Sequence, residues 1–483
     1  MTRIGTLTAL LVCVGAQVSA VTFAVPAKVG AAGHIYATLA PAPVGVSFEF
    51  FAFPGYFTNL STPTNQCLSN WQALTGTWPP IRIGGTTQDR AQYDPTTPDY
   101  VVYTVASAAD APDSLTFGSS FMTLAGEYDG SVVLGLNRGK NNISNTIAAA
   151  KVGVSEMSNL LAIELGNEPE YWASAGQPIT SGITWNPAAD AASQNNWDIQ
   201  VGSALGKTNI IQAGNSNSAP PTWGAQELIA TENATVKQYV ATYAHHNYPG
   251  GTVQSLMSHS GIVSNLNQFD SDIAAATGVG KPYVLGETNS VSGGGAATVS
   301  PTFGAALWTM DYSVRAAFNN ITRTYYHQGT IGNCQYCFWG RYDMGAPYYG
   351  ATAAVAFLSN GAHLTALDDG STNYGGYTTF DSSGQPLRAL LYNSDYFNGT
   401  GTRSSTSFVL TGLTASSVRA KRLTAASALS RQDQGGNPSW GGQYYTNATC
   451  VVGGTEVYET ATVSGGQATF SLYASEALVV DLQ

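Results

Sequence analysis

The stretch LAIELGNEPEYW (161–172) has two readings, and the fold depends on which one holds. In one, Asn167 caps a helix that starts at Pro169, and Glu168 merely favours the helix dipole. In the other, residues 161–166 form a short strand buried on both faces, with Asn167 and Glu168 at its carboxyl end. The rest of the chain favours the strand. Seven further apolar runs of similar length occur: VGVSFEF (44–50), IRIGG (81–85), SVVLGLN (131–137), NIIQAGN (209–215), YVATYAHHNY (239–248), PYVLGETN (282–289) and YCFWG (336–340). Helix-like pieces such as 146–162 and 303–319 lie between them. Eight buried strands alternating with helices predict an α/β fold, a (β/α)8 TIM barrel over residues 41–360.

Most of these runs end in polar residues: Glu49, Asn137, Asn167 with Glu168, Asn215, His245 with His246, and Glu287. Barrel active sites are built at the carboxyl ends of the strands. After residue 360 the pattern becomes short alternating runs separated by Gly, Asn, Asp and Ser, which predicts a C-terminal antiparallel β-sandwich domain over 361–483. An early run, VTFAVPA (21–27), reads as a strand, and the 21–40 segment is a candidate to pair into that β-domain.

Composition narrows the partners. Charged residues make up only 10% of the 483, net charge is −11, and Gly (53) and Tyr (26) are abundant. Nucleic acid and anionic membranes need clustered cations, and none are present, so neither is expected as a partner. Residues 1–20 read as a secretory signal: Arg3, an apolar stretch from Leu7 to Val14, and a small-residue cleavage site at Val18-Ser19-Ala20. No later stretch is apolar for long enough to cross a bilayer. Six Asn-x-Ser/Thr sequons, at Asn59, Asn142, Asn233, Asn320, Asn398 and Asn447, agree with a secreted, extracellular glycoprotein. Cys13 lies in the signal. The remaining Cys67, Cys334, Cys337 and Cys450 favour disulfides of unreadable pairing. Cys334-x-x-Cys337 near His327 lacks the second ligand pair that a structural metal site needs, so no metal is assigned.

Glu168 and Glu287 follow the fourth and seventh runs. Strands four and seven lie across a barrel mouth, so the two side chains can converge. Cleaving a glycosidic bond needs such a pair, one carboxyl protonated and one ionised.

Three longer stretches then carry a resemblance. IRIGGTTQDRAQYDP (81–95), HHNY (245–248) and LGETNSVSGGGA (285–296) resemble heparanase and the β-glucuronidases of glycoside hydrolase family 79, of the secreted fungal type. The resemblance implies Glu168 as acid/base, Asn167 as the asparagine beside that acid/base, and Glu287 as nucleophile. It also implies Gly293 and Gly294 as backbone contacts to a sugar carboxylate. Tyr248 resembles a tyrosine beside the nucleophile, although Asn247 stands where the family has a tyrosine and Ser292 where relatives often carry an aromatic. Tyr336 and Trp339 are candidates for a carboxylate-contacting hydroxyl and a sugar-stacking ring, and Glu49 for binding outer hydroxyls. Together these imply a retaining exo-β-glucuronidase acting on terminal glucuronic acid, plain or 4-O-methylated. The acidic charge, with Arg138 and Lys140 a local exception, disfavours an endo-acting cleaver of sulfated chains. No metal or organic cofactor is needed, and a monomer is expected.

Overall fold

A computed structural model of the protein describes residues 20–58, 63–340 and 343–483. Residues 1–19 of the expected signal and the sequon at Asn59 lie outside the described residues.

Eight parallel strands close into a barrel. In chain order they are Val44–Glu49, Ile81–Gly84, Val132–Leu136, Leu160–Leu165, Ile211–Asn217, Val240–Asn247, Tyr283–Thr288 and Ile321–Gln328. The first, second, third and seventh are buried along their whole length. A strand covered by helices outside and by the barrel interior inside has no polar face, so its sequence is a continuous apolar run. The intervening helices are punctuated by their own caps. Asn186 accepts the N–H of Ala189, Pro187 opens the helix Pro187–Leu205, and Gly206 in the left-handed region ends it. Thr302 similarly caps the helix Phe303–Phe318.

Two elements depart from the expectation. YCFWG (336–340) is not the eighth strand; Ile321–Gln328, ITRTYYHQ, is. Its Arg323, His327 and Gln328 break the apolar pattern because the last two are buried polar groups at the strand's carboxyl end. The helix expected over 146–162 spans Ile143–Glu156, and the fourth strand starts at Leu160.

The C-terminal domain is two packed β-sheets. Ten strands form one sheet, and its central pairs, such as Pro386–Asn393 with Glu476–Asp481, are antiparallel. The other sheet orders Val21–Ala24, Ser405–Thr411 and Ala468–Tyr473, the first pair parallel and the second antiparallel. Ala468–Tyr473 alternates strictly between buried and exposed residues, as a strand with one solvated face must. Phe23, Phe408, Phe470, Leu391, Leu478 and Val480 meet in the core between the sheets.

Two disulfides are present among the described residues. Cys67–Cys450 ties the barrel helix Thr64–Thr75 to the β-domain, and Cys334–Cys337 closes a four-residue ring. His259 also bridges the domains. Its Nδ1 lies 2.8 Å from Asp311 Oδ2 on the helix Phe303–Phe318, and its Nε2 lies 3.0 Å from Asp368 Oδ1 of the β-domain.

Candidate active site

The fourth strand ends at a sharp bend. Gly166 adopts φ +85°, and a Cβ there would lie 2.5 Å from the Trp172 ring. Only glycine fits both constraints. Glu168 follows with φ +50° although it is not glycine, an uncommon conformation that turns its side chain into the barrel mouth. Pro169–Tyr171 then makes one 3₁₀ turn, so the proline does begin a short helical piece.

Glu168 faces Glu287 from the seventh strand. One oxygen of each and a ring nitrogen of His246 all lie within 4.8 Å of one another. Glu168 Oε1 is 3.1 Å from His246 Nδ1. Burial pushes His246 down to about 4, so at neutral pH it brings no positive charge to Glu168. Burial, and then the Glu287 charge, push Glu168 up to about 8. Glu287 is held the opposite way. Burial alone would raise it, but His327 and Arg82 outweigh burial and keep the carboxyl well below the usual carboxylate range. The Tyr248 hydroxyl adds a 2.5 Å hydrogen bond to Glu287 Oε1. At neutral pH the site therefore holds one protonated and one ionised carboxyl.

Arg82 organises the floor of the site from the second strand. Fully buried, it donates to Glu287 and to Glu164, and at 2.9 Å to Asn167 Oδ1. Gln212 Nε2 donates to Glu164 at 2.8 Å. Asn167 is pinned further by its own N–H to Asp89 Oδ2 at 2.7 Å. With its amide oxygen taken by Arg82, Asn167 keeps its NH2 for a ligand. His327, raised despite burial by Glu287 and Glu49, lies 3.2 Å from Glu49 Oε2 and 3.5 Å from Glu287 Oε2. Glu168, His246 and Glu287 could geometrically ligate a metal ion, but the Arg82 guanidinium already pairs with Glu287, which opposes a cation there.

A cleft of about 680 Å³ opens over these groups. Glu49, Glu168, Tyr248, Glu287, Ser292, Gly293, Gly294 and Tyr336 all line it. Gly293 and Gly294 are both left-handed, at φ +66° and +87°. Segment 104–113 forms another wall, linked across by Asn333 Nδ2 donating to Ala109 O at 3.0 Å. A second cavity of about 670 Å³, lined by Asn137, Lys140, Asn167, Tyr171 and Gln177, meets the first at Glu168, Thr86, Arg90 and Asp113.

Comparison with known proteins agrees with this geometry. Residues 376–479 match the family profile "Glycosyl hydrolase family 79 C-terminal beta domain". A β-glucuronidase of Aspergillus niger is 32% identical over 402 residues, covering 75% of this chain and 73% of that protein. The chain belongs to glycoside hydrolase family 79. A Neurospora crassa β-glucuronidase is 29% identical over 363 residues, 65% of this chain and 63% of the other. The crystal structure of a 4-O-α-L-rhamnosyl-β-D-glucuronidase from Fusarium oxysporum 12S, complexed with Rha-GlcA, superposes with a TM-score of 0.92 at 49% identity. It covers 96% of this chain and 100% of that one.

In this glycoside hydrolase Trp339 does not reach the cleft. It is fully buried beside Phe48, Phe338 and Tyr348, and its indole N–H donates to Thr64 Oγ1 at 3.0 Å, so it cannot stack on a bound sugar. Asn247 points away from the cleft, donating to Asn265 Oδ1 at 2.7 Å and to Tyr312 OH at 2.6 Å. Tyr248 is the residue beside Glu287. Arg138 is buried and paired with Asp190 at 2.6 Å, which leaves Lys140 in the second cavity. Sequence reasoning missed Arg82, His246 as a partner of Glu168, and His327. Arg82 stood inside a quoted apolar run, where a lone cation among buried residues was the available signal.

Proposed function

We propose that this family 79 enzyme is a secreted, retaining, exo-acting β-glucuronidase. The observation that carries the reading is the carboxyl pair within 4.8 Å, one acid raised and one lowered. Retaining glycosidases hold their carboxyl groups about 5–5.5 Å apart and inverting ones about 6.5–9.5 Å, so the short separation supports double displacement. Protonated Glu168 gives its proton to the glycosidic oxygen as Glu287 attacks the anomeric carbon. The C–O bond to the leaving group breaks and a glycosyl–Glu287 ester forms. Glu168, now ionised, takes a proton from water, which attacks the ester and releases the sugar with its original configuration. Arg82 and the Tyr248 hydroxyl keep Glu287 ionised and oriented.

The glucuronidase names of the two curated relatives support the sugar assignment, as do Gly293 and Gly294, which bring glycine backbone to the cleft lining, where it can approach a sugar carboxylate closely. Among the described residues Arg90 is the only Lys or Arg lining the catalytic cleft, which supports one uronate rather than a run of sulfates. The wall at 104–113 supports exo action. The adjoining cavity has room for a further sugar, so a 4-O-substituted glucuronide, as in the Fusarium oxysporum relative, is the preferred substrate.

Product analysis by NMR on 4-nitrophenyl β-glucuronide and on a 4-O-rhamnosyl glucuronide tests this. Release of the β-anomer first, and faster cleavage of the capped substrate, are expected. Cleavage of only the glucoside or arabinofuranoside would replace the sugar, and binding without turnover would make the protein a carbohydrate-binding one.

A further inference from the structure

We propose that the Cys334–Cys337 disulfide is a positioning clamp for the sugar-carboxylate side of the cleft, holding Tyr336 and the Gly293–Gly294 loop in place. The inference rests on the glucuronidase reading. The bridge closes a ring of four residues, Cys334, Gln335, Tyr336 and Cys337. Within that ring Tyr336 lines the cleft and Gln335 N–H donates to Gly294 O at 2.6 Å. One short covalent ring thus reaches both groups that face the uronate.

The ring is anchored from behind. Both sulfurs belong to fully buried residues. Gly329 N–H donates to Cys334 Sγ at 3.4 Å. Tyr56 OH donates to Gly329 O at 2.8 Å and lies 3.5 Å from Cys337 Sγ. In front, the Tyr336 ring packs against Tyr248 and His327, with centroids 6.2 and 6.1 Å apart. Both of those neighbours touch Glu287. Segment 329–340 has no helix or strand to hold it. The three glycines at 293–295 are all left-handed, and Gly295 packs directly against Tyr336 N and Gln335. The two loops meet at the Gln335 N–H to Gly294 O bond, so the bridge that fixes Gln335 also fixes their junction. A bridge across four residues removes little entropy from the unfolded chain, because that term grows with loop length. Its effect therefore falls on the site rather than on global stability.

The experiment compares wild type with Cys334→Ser/Cys337→Ser on 4-nitrophenyl glucuronide and glucoside, alone and combined with Tyr336→Phe. The KM for the glucuronide should rise roughly tenfold, the loss expected when one hydrogen bond to a charge loosens, while kcat changes little. Preference for glucuronide over glucoside should fall, and the Tyr336→Phe effect should shrink in the serine background. Cys67→Ala/Cys450→Ala should lower the melting temperature and leave that preference intact. Gln335→Pro, which keeps the bridge but removes the N–H to Gly294, should raise the glucuronide KM in the same direction. It serves if the serine variant does not fold. Unchanged KM and preference in a folded serine variant overturn the proposal, as does an unchanged KM in Gln335→Pro. Wild type without glucuronide preference would instead overturn the glucuronidase reading.

Discussion

Glu168 is held in the left-handed region by the bend at Gly166 and by its N–H donating to Asn215 O at 2.9 Å. In the proposed mechanism Glu168 is the proton donor, so replacing it with Gln should lower kcat/KM by about 10²–10⁴-fold on substrates with poor leaving groups. The pH profile follows from the same residue. Its acid form is the donor, so kcat/KM should fall as pH climbs through about 8. Its folded pKa lies above the ordinary 4.5, so its contribution to stability is complete below 4.5 and is lost as pH rises through about 8. Burial pushes Glu170 up to about 8 as well. The two are separable: Glu170→Gln should keep the alkaline limb of activity, whereas Glu168→Gln should abolish it. Arg82 invites a harsher test. Arg82→Met strands Glu164 and Glu287 without their buried cation and should cost about 3–5 kcal/mol by denaturant unfolding, along with activity.

Strand ends are where chemistry and architecture meet in this barrel. Gly166→Ala would place a methyl against Trp172 in a conformation alanine resists. A loss of about 1–3 kcal/mol and a matching fall in kcat are expected, read by thermal unfolding and steady-state kinetics. Seven barrel strands are legible in the sequence because each carries a mostly apolar run, interrupted only by single buried polar residues such as Arg82, Glu164 and Gln212. The eighth is not, because His327 and Gln328 at its end are buried through polar contacts rather than hydrophobic ones. Trp339 misled for the complementary reason: an aromatic next to a predicted strand end looks the same in sequence whether it faces a ligand or the core. Glu168 and Glu287 could be read because each stands at the end of a clear strand. Arg82 and His327 could not, since their roles exist only once the barrel closes and brings both side chains to Glu287.

At the scale of the whole molecule, two of the links that join barrel to β-domain have distinct signatures. Breaking Cys67–Cys450, which spans 383 positions, should lower stability by roughly 2–5 kcal/mol through the unfolded state. His259 acts through charge. Burial disfavours its protonated form, but Asp311 and Asp368 outweigh that and raise it to about 10. The folded protein thus holds this proton more tightly than the unfolded chain. The stabilisation is complete below 6.5, the ordinary histidine value, and disappears as pH rises through about 10. Melting temperature should therefore decline more steeply with alkaline pH in wild type than in His259→Gln.

The parallel pairing of Val21–Ala24 with Ser405–Thr411 also has a consequence in time. The first of these strands leaves the ribosome long before its partner is made. At synthesis rates of about 5–20 residues per second, the wait is roughly 20–80 seconds. During that interval the barrel strands and helices can already assemble, while an exposed strand edge trails from their start. The three-stranded sheet that holds Val21–Ala24 is thus completed only once Ala468–Tyr473 has also been made.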